Sequence, residues 1–201
     1  MAPGESRTYT YYAHPANKET TSLVWDGGNI VVNPRNGLYG AIVIGPKGSQ
    51  YRDPVTGADV SQKNTWRADV IVDTTLSENA GKRNYRDVAL FFQDEDNIIG
   101  TAFMPYVQNV AGLTSVNYRA EPYKFREEQG CSLGKIFQPC AVDKPEDPVT
   151  PLIEAHAGDA LRIHVIGANS EQNGMFSVEG HEWPLEPYMA GADMISVVEY
   201  A

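Results

Sequence analysis

The chain has 201 residues and a formal net charge of −10, from 16 Lys and Arg against 26 Asp and Glu. Its length and its ordinary proportions of apolar, aromatic and charged residues favour a folded protein, as one large domain or two small halves, over a disordered chain. The acidic balance argues against nucleic acid or an anionic membrane as a partner, and no run reaches the roughly 18 apolar residues of a membrane span.

The first part of the chain predicts short strands separated by turns. "SRTYTYYA" alternates along its length and predicts a strand, and the residues before it lack the charged and apolar regions of a signal peptide. "GLYGAIVIG", rich in small and β-branched residues, predicts a buried strand. "GPKGSQYRDPVTGADVSQKN" is rich in polar and turn-forming residues and predicts a surface linker.

The remaining strands are predicted from alternation of apolar and polar residues. "RDVALFFQD" and "ALRIHVIG" both alternate; in the second, Arg162 and His164 share the face opposite the apolar one. "MISVVEYA" closes the series. Because no stretch of useful length has helical periodicity, the sequence predicts an all-β sandwich or barrel.

The two cysteines, Cys131 and Cys140, lie in "CSLGKIFQPC". Their spacing closes a short loop that suits a disulfide, and free thiols in a reduced chain are the alternative. Neither cysteine is near a histidine in sequence, so a zinc motif is not indicated.

Metal binding is the chemistry that the residue types suggest first. "MFSVEGHEW" offers His181 with Glu179 two positions before it, and His164 and His156 are weaker candidates. Each histidine has a simpler interpretation as a hydrogen-bonded or surface residue. The acidic "QDEDN" lacks the Gly and Glu positions of an EF-hand. No residue is predicted to be catalytic, because no Ser-His-Asp, phosphate-loop or paired-carboxylate motif stands out.

Several stretches, taken in order, resemble the cupredoxin domains of multicopper oxidases, in particular the large ceruloplasmin-like and bacterial metal-oxidase type. "APGESRTYTYY" is similar to a Pro-Gly-Glu turn and its Tyr-rich strand, and "NGLYGAIVIGPKGS" to the strand that follows the copper-ligand loop. The remaining matches resemble the first strands of the next domain: "DVALFFQDED", "NYRAEPY", "HAGDALRIHVIGA" and "MFSVEGHEW".

The order of these motifs divides the chain into parts of two domains. Residues 1–49 resemble the C-terminal strands of one cupredoxin domain, residues 50–83 a linker, and residues 84–201 the N-terminal strands of another. An isolated half would expose strand edges. The resemblance therefore implies an all-β, cupredoxin-like Greek-key sandwich or barrel. It would be completed by circular permutation, by strand swapping between subunits, or by the rest of a longer protein.

The copper ligands of the family are mostly replaced. A blue-copper site needs two imidazoles and a thiolate, but the loop "LVWDGGNIVVNPRNGLYG" contains neither His nor Cys. Counting back from His181, the family's other two histidines fall at Glu179 and Ser177. The resemblance thus predicts that this chain holds no copper centre of its own, although the parent family uses copper.

The function implied is that of a copper-free structural domain in a protein that oxidises a substrate, such as a metal ion or a phenol, and reduces dioxygen through copper. Whether the chain is itself an enzyme stays open. One alternative is a self-assembling, ligand-free binding module, and another is an oxidase with copper held between subunits by His156, His164 and His181. The expected partners are other cupredoxin domains or identical subunits, and the expected location is extracytoplasmic or secreted.

Overall fold

A computed structural model of the chain describes residues 4–29, 33–34, 37–94, 114–117, 152–170, 173–186 and 189–200. Within these ranges the regular structure is almost wholly β, and the helical residues form two 3₁₀ turns, Pro15–Asn17 and Ser77–Asn79. The all-β prediction is confirmed. The strands are β1 (Thr20–Trp25), β2 (Tyr39–Ile44), β3 (Gln50–Arg52), β4 (Arg67–Ile71), β5 (Tyr85–Asp94), β6 (Thr114–Val116), β7 (Leu161–Ser170), β8 (Gly174–Ser177), β9 (Trp183–Pro184), β10 (Met194–Ile195) and β11 (Val197–Tyr200).

Strand β5 is the centre of the main sheet. β7 pairs with it in parallel along one edge, from Arg86 to Asp94, so β4 and β6 share the opposite edge, each antiparallel to β5. β3 extends the sheet beyond β4. β5 can occupy this position because both of its faces are buried, with Val88 and Leu90 on one face and Asp87 and Ala89 on the other.

A two-stranded sheet packs on each face of β5. On one face, the antiparallel β1–β2 pair brings Tyr39 onto Phe91, with ring centroids 5.7 Å apart. On the other face, the β8–β11 pair places Phe176 and Tyr200 against Phe92, with centroids 6.1 and 4.8 Å away. Because successive side chains of a strand point to opposite faces, the two pairs lie on opposite sides of the sheet. The arrangement is sandwich-like.

The buried apolar cluster lies beside the start of β5. Val70, Val72 and Tyr85 form its centre, and Tyr51 and Ala160 pack against it. These residues come from β3, β4 and β5 and from the segment before β7. The cluster therefore ties the outer strands of the main sheet to its centre.

Two segments differ from the sequence-based expectation. Residues 50–83, expected as a linker, contain β3 and β4, which pair into the main sheet. The signal was the alternation of Ala68, Val70 and Val72, all buried, within a stretch otherwise dominated by turn residues. Conversely, "SRTYTYYA" forms no strand, and its residues are exposed. It has aromatic rings on both of its faces, so it offers no single apolar face to bury.

We expect Val70→Ala to lower the free energy of unfolding by about 2 kcal/mol, because it removes buried methyl groups and leaves a cavity. Val70 is 0% exposed. The matched control is Val55→Ala at a side chain that is 74% exposed, where the free energy of unfolding should barely change. Urea denaturation of both variants measures the difference, and equal losses would contradict the assignment of the core.

Candidate functional site

A cluster of charged and polar side chains lies between the β1–β2 pair and the main sheet. We call it the Asp87 network. The parallel register of β5 and β7 places Asp87 opposite Arg162, and Ala89 opposite His164, so all four lie on one face of the sheet. The members of the network are Glu19, Thr21, Lys82, Asp87, Arg162 and His164.

His164 links the two sheets through both nitrogens of its ring. Its Nε2 lies 2.6 Å from Oδ1 of Asp87, and its Nδ1 lies 2.5 Å from Oγ1 of Thr21 on β1. An ionised carboxylate only accepts hydrogen bonds, so these partners assign the proton to Nε2. In the neutral form of the ring, Nδ1 accepts the hydrogen bond that the Thr21 hydroxyl donates. The side chains of Asp87 and His164 are only 8% and 11% exposed.

Glu19 connects the two cations of the network. Its carboxylate oxygens lie 2.6 Å from Nζ of Lys82 and 3.1 Å from Nη1 of Arg162. Nε of Arg162 is 3.6 Å from Oδ1 of Asp87, and its guanidinium carbon lies 4.0 Å from the centroid of the Tyr85 ring. Two carboxylates therefore face two cations, which balances the charge while the imidazole is neutral.

Two tyrosine hydroxyls lie at the border of the network. A Cβ added at Gly45 would collide with the hydroxyl of Tyr51 and would lie 3.2 Å from that of Tyr85, so both hydroxyls approach this glycine. Burial raises the pKa of Tyr51, and the negative charge of Asp87 acts in the same direction, against the Gly45 backbone hydrogen bond and the Arg162 charge. The phenol therefore stays neutral to higher pH than an exposed tyrosine.

An open cleft runs along the side of the network where Thr21 and His164 reach the surface. Its volume is about 460 Å³, which falls within the roughly 300–1,000 Å³ of small-molecule sites. Polar atoms from Thr21 and His164 meet apolar side chains in its wall. The lining residues are Thr21, Leu23, His164, Val165, Ile166 and Gly167.

The metal candidates are not brought together in one site. His164 uses both ring nitrogens inside the protein. His156 is 94% exposed, with Nδ1 3.3 Å from an oxygen of Asp159. His181 is exposed, and its Nδ1 donates a hydrogen bond to the carbonyl oxygen of Glu179 at 2.9 Å, while the Glu179 carboxylate is on the surface.

Over the ranges that the structure describes, no group of three or more His, Cys, Asp or Glu side chains is placed to hold a metal ion. The predicted disulfide between Cys131 and Cys140 lies outside the described residues, as does most of "QDEDN". Within the same ranges, no helix is long and apolar enough to cross a membrane.

The partners of His164 were not predicted from the sequence. Alternation placed Arg162 and His164 on one strand face, but Thr21, Glu19 and Asp87 were not identified as candidates. One signal was available: Asp87 directly precedes the apolar run "VALFF", and a carboxylate there must find partners if the strand is buried.

Comparison of the chain with protein-family models finds no match, and comparison with curated proteins also finds none. A functional assignment therefore has to rest on the geometry of the Asp87 network and its cleft, together with the motifs of the sequence.

We expect Glu19→Gln to lower the free energy of unfolding by about 2 kcal/mol, because it leaves two partly buried cations without their shared carboxylate. The control is Glu78→Gln, which breaks an exposed pair with Lys47 at 3.0 Å and should change the free energy of unfolding very little. Urea denaturation of the two variants tests this. Similar small effects would mean that the network contributes no stability.

We expect Tyr51→Phe to flatten the alkaline part of the stability profile. The raised pKa of Tyr51 means that the unfolded chain loses this proton first, at a pH of about 10. The stability it contributes is complete below that pH and is lost as pH rises through the folded pKa. Thermal midpoints should fall less steeply above about pH 10 in Tyr51→Phe than in the wild type, while Tyr12→Phe, at an exposed ring, keeps the wild-type slope.

Proposed function

We propose that the chain is a copper-free structural domain, with a cupredoxin-type Greek-key sandwich, of a multicopper-oxidase-like protein. The observation that carries this proposal is the engagement of His164. Both nitrogens of this strand imidazole are hydrogen-bonded to protein side chains, so neither can bind a metal without breaking a buried contact. The sandwich-like packing of two-stranded sheets on the central sheet is consistent with the proposed fold.

The proposed role is to hold copper-bearing domains in position. A spacer has to be rigid, and the Asp87 network supplies cross-links of the kind required. Glu19 bridges Lys82 and Arg162, and His164 bridges Thr21 and Asp87, so the start of β1 is fixed to the main sheet at two points. In this proposal the parent oxidises its substrate and reduces dioxygen outside the cytoplasm, through copper bound elsewhere.

A second candidate is a self-assembling module made of identical subunits. Tyr9, Tyr11 and Tyr12 favour it, because they are exposed in a segment that belongs to no strand. Exposed aromatic side chains are enriched at protein interfaces. Sedimentation separates the two candidates. A stoichiometry that stays fixed on dilution supports the assembled module, and a monomer supports the spacer.

The third arrangement, copper held between subunits, would have to do without His164. The remaining candidates, His156 and His181, are exposed and could meet only across an interface. Two imidazoles with no thiolate would make a colourless site rather than a blue one.

We expect a copper titration of the metal-free protein to show less than one tightly bound ion per chain. Bound copper is counted after competition with a chelator, and visible and electron-paramagnetic spectra report its ligands. The His14→Gln/His156→Gln/His181→Gln variant should remove the weak surface binding that exposed imidazoles give. Stoichiometric copper that survives the chelator and is lost in His181→Ala would overturn the spacer proposal and support copper between subunits.

A further inference from the structure

We propose that Thr21, His164 and Asp87 act together as a nucleophile, general base and orienting carboxylate, and that the adjoining cleft accepts esters with short acyl groups. This activity is independent of the spacer role, because it uses no metal and needs no second domain. The chemistry follows from three side chains on three different strands, β1, β7 and β5, which meet in a single line of hydrogen bonds.

The hydrogen bonds have the geometry that an activated hydroxyl requires. A hydroxyl becomes a useful nucleophile when a base lies within hydrogen-bond reach, up to about 3.2 Å, and a third group orients that base. Oγ1 of Thr21 is 2.5 Å from Nδ1 of His164, and the opposite ring nitrogen is 2.6 Å from Asp87. The tautomer that Asp87 selects leaves the lone pair of Nδ1 directed at the Thr21 hydroxyl.

A carboxylate lies beside Nε2, the ring nitrogen opposite the one that receives the proton of Thr21. The buried carboxylate of Asp87 faces Nε2 and stabilises the imidazolium that forms when Nδ1 is protonated. Arg162 lies 3.6 Å from the same carboxylate oxygen and is paired with Glu19, which is also paired with Lys82. Lys82 and Arg162 thus share Glu19, and Asp87, 2.6 Å from Nε2, is the carboxylate that faces the imidazolium.

The cleft gives a substrate access to the reacting atoms. Thr21 and His164 both line it, together with Leu23, Val165 and Ile166. An acyl chain can lie on this wall while its carbonyl carbon approaches Oγ1 of Thr21. Its volume of about 460 Å³ leaves room for a short acyl group such as acetyl.

The reaction balances without a cofactor. Oγ1 of Thr21 bonds to the carbonyl carbon of the ester, and its proton passes to Nδ1 of His164. The bond from the carbonyl carbon to the leaving oxygen breaks, and that oxygen takes the proton as the alcohol departs. Water then attacks the acyl-threonine by the same route, which releases the carboxylic acid and restores the hydroxyl.

The test uses p-nitrophenyl acetate and the intact chain. Exposed imidazoles hydrolyse this ester without any site, so the assay is run in the His14→Gln/His156→Gln/His181→Gln background, which removes the three exposed histidines. We expect a burst of p-nitrophenolate equal to one acetyl group per chain. Fragmentation of the tryptic peptide Glu19–Arg35 should locate that acetyl group on Thr21.

Three variants separate catalysis from folding. Thr21→Ser keeps the hydroxyl and should keep the burst, whereas the nearly isosteric Thr21→Val should abolish it and slow ester cleavage about a hundredfold. Thr20→Val, the neighbouring residue on β1, is the matched control and should behave like the parent. No burst in the parent, acetyl groups on other residues, or equal rates in Thr21→Val and the parent would each overturn the proposal.

Discussion

Asp87 is a buried carboxylate on β5, and it determines which residues can pack around it. Asp87 is only 6% exposed, and removing its charge from water costs several kcal/mol unless partners replace the solvent. His164 and Arg162 are those partners, and both come from β7. The parallel register of β5 and β7 brings both residues to the carboxylate. The same alignment therefore pairs the strands and gives Asp87 its partners.

The need of buried charged and polar groups for partners also extends to the β1–β2 pair. A cation beside Asp87 needs a further carboxylate, and Glu19 supplies it from the start of β1 while also pairing with Lys82. The imidazole needs a partner for its other nitrogen, and Thr21 supplies it two residues further along β1. The contact of Tyr39 with Phe91 buries apolar surface but does not fix one sheet in a single position on the other. The ion pairs of Glu19 and the hydrogen bond of Thr21 fix the position of β1.

This setting bears on the question of metal binding that the sequence raises. A histidine on a strand suggests a metal ligand, but a ligand needs a ring nitrogen that the protein leaves open. The partners of His164 give it the character of a structural link or of a proton acceptor. The two roles are compatible, because the hydrogen bonds that join the sheets also hold the imidazole in a fixed orientation. The proposed spacer role and the proposed acyl-transfer site therefore use one arrangement for different purposes.

The sequence by itself determined the fold class and the central strands. "GLYGAIVIG", "RDVALFFQD" and "ALRIHVIG" form β2, β5 and β7 because alternation and β-branched residues are local properties that a strand has wherever it packs. The local pattern wrongly predicted a strand at "SRTYTYYA", which alternates but has no single apolar face to bury. It also failed to predict β4, whose two buried residues, Ala68 and Val70, lie among turn-forming residues.

The tertiary structure alone decided the site. Thr21 and His164 are 143 residues apart and Asp87 and His164 are 77 apart, so their meeting depends on which strands pair and in what register. A shift of one residue in either strand would turn these side chains to the opposite face. Residue types show that a buried charge needs partners, but only the packed sheets determine which partners it receives.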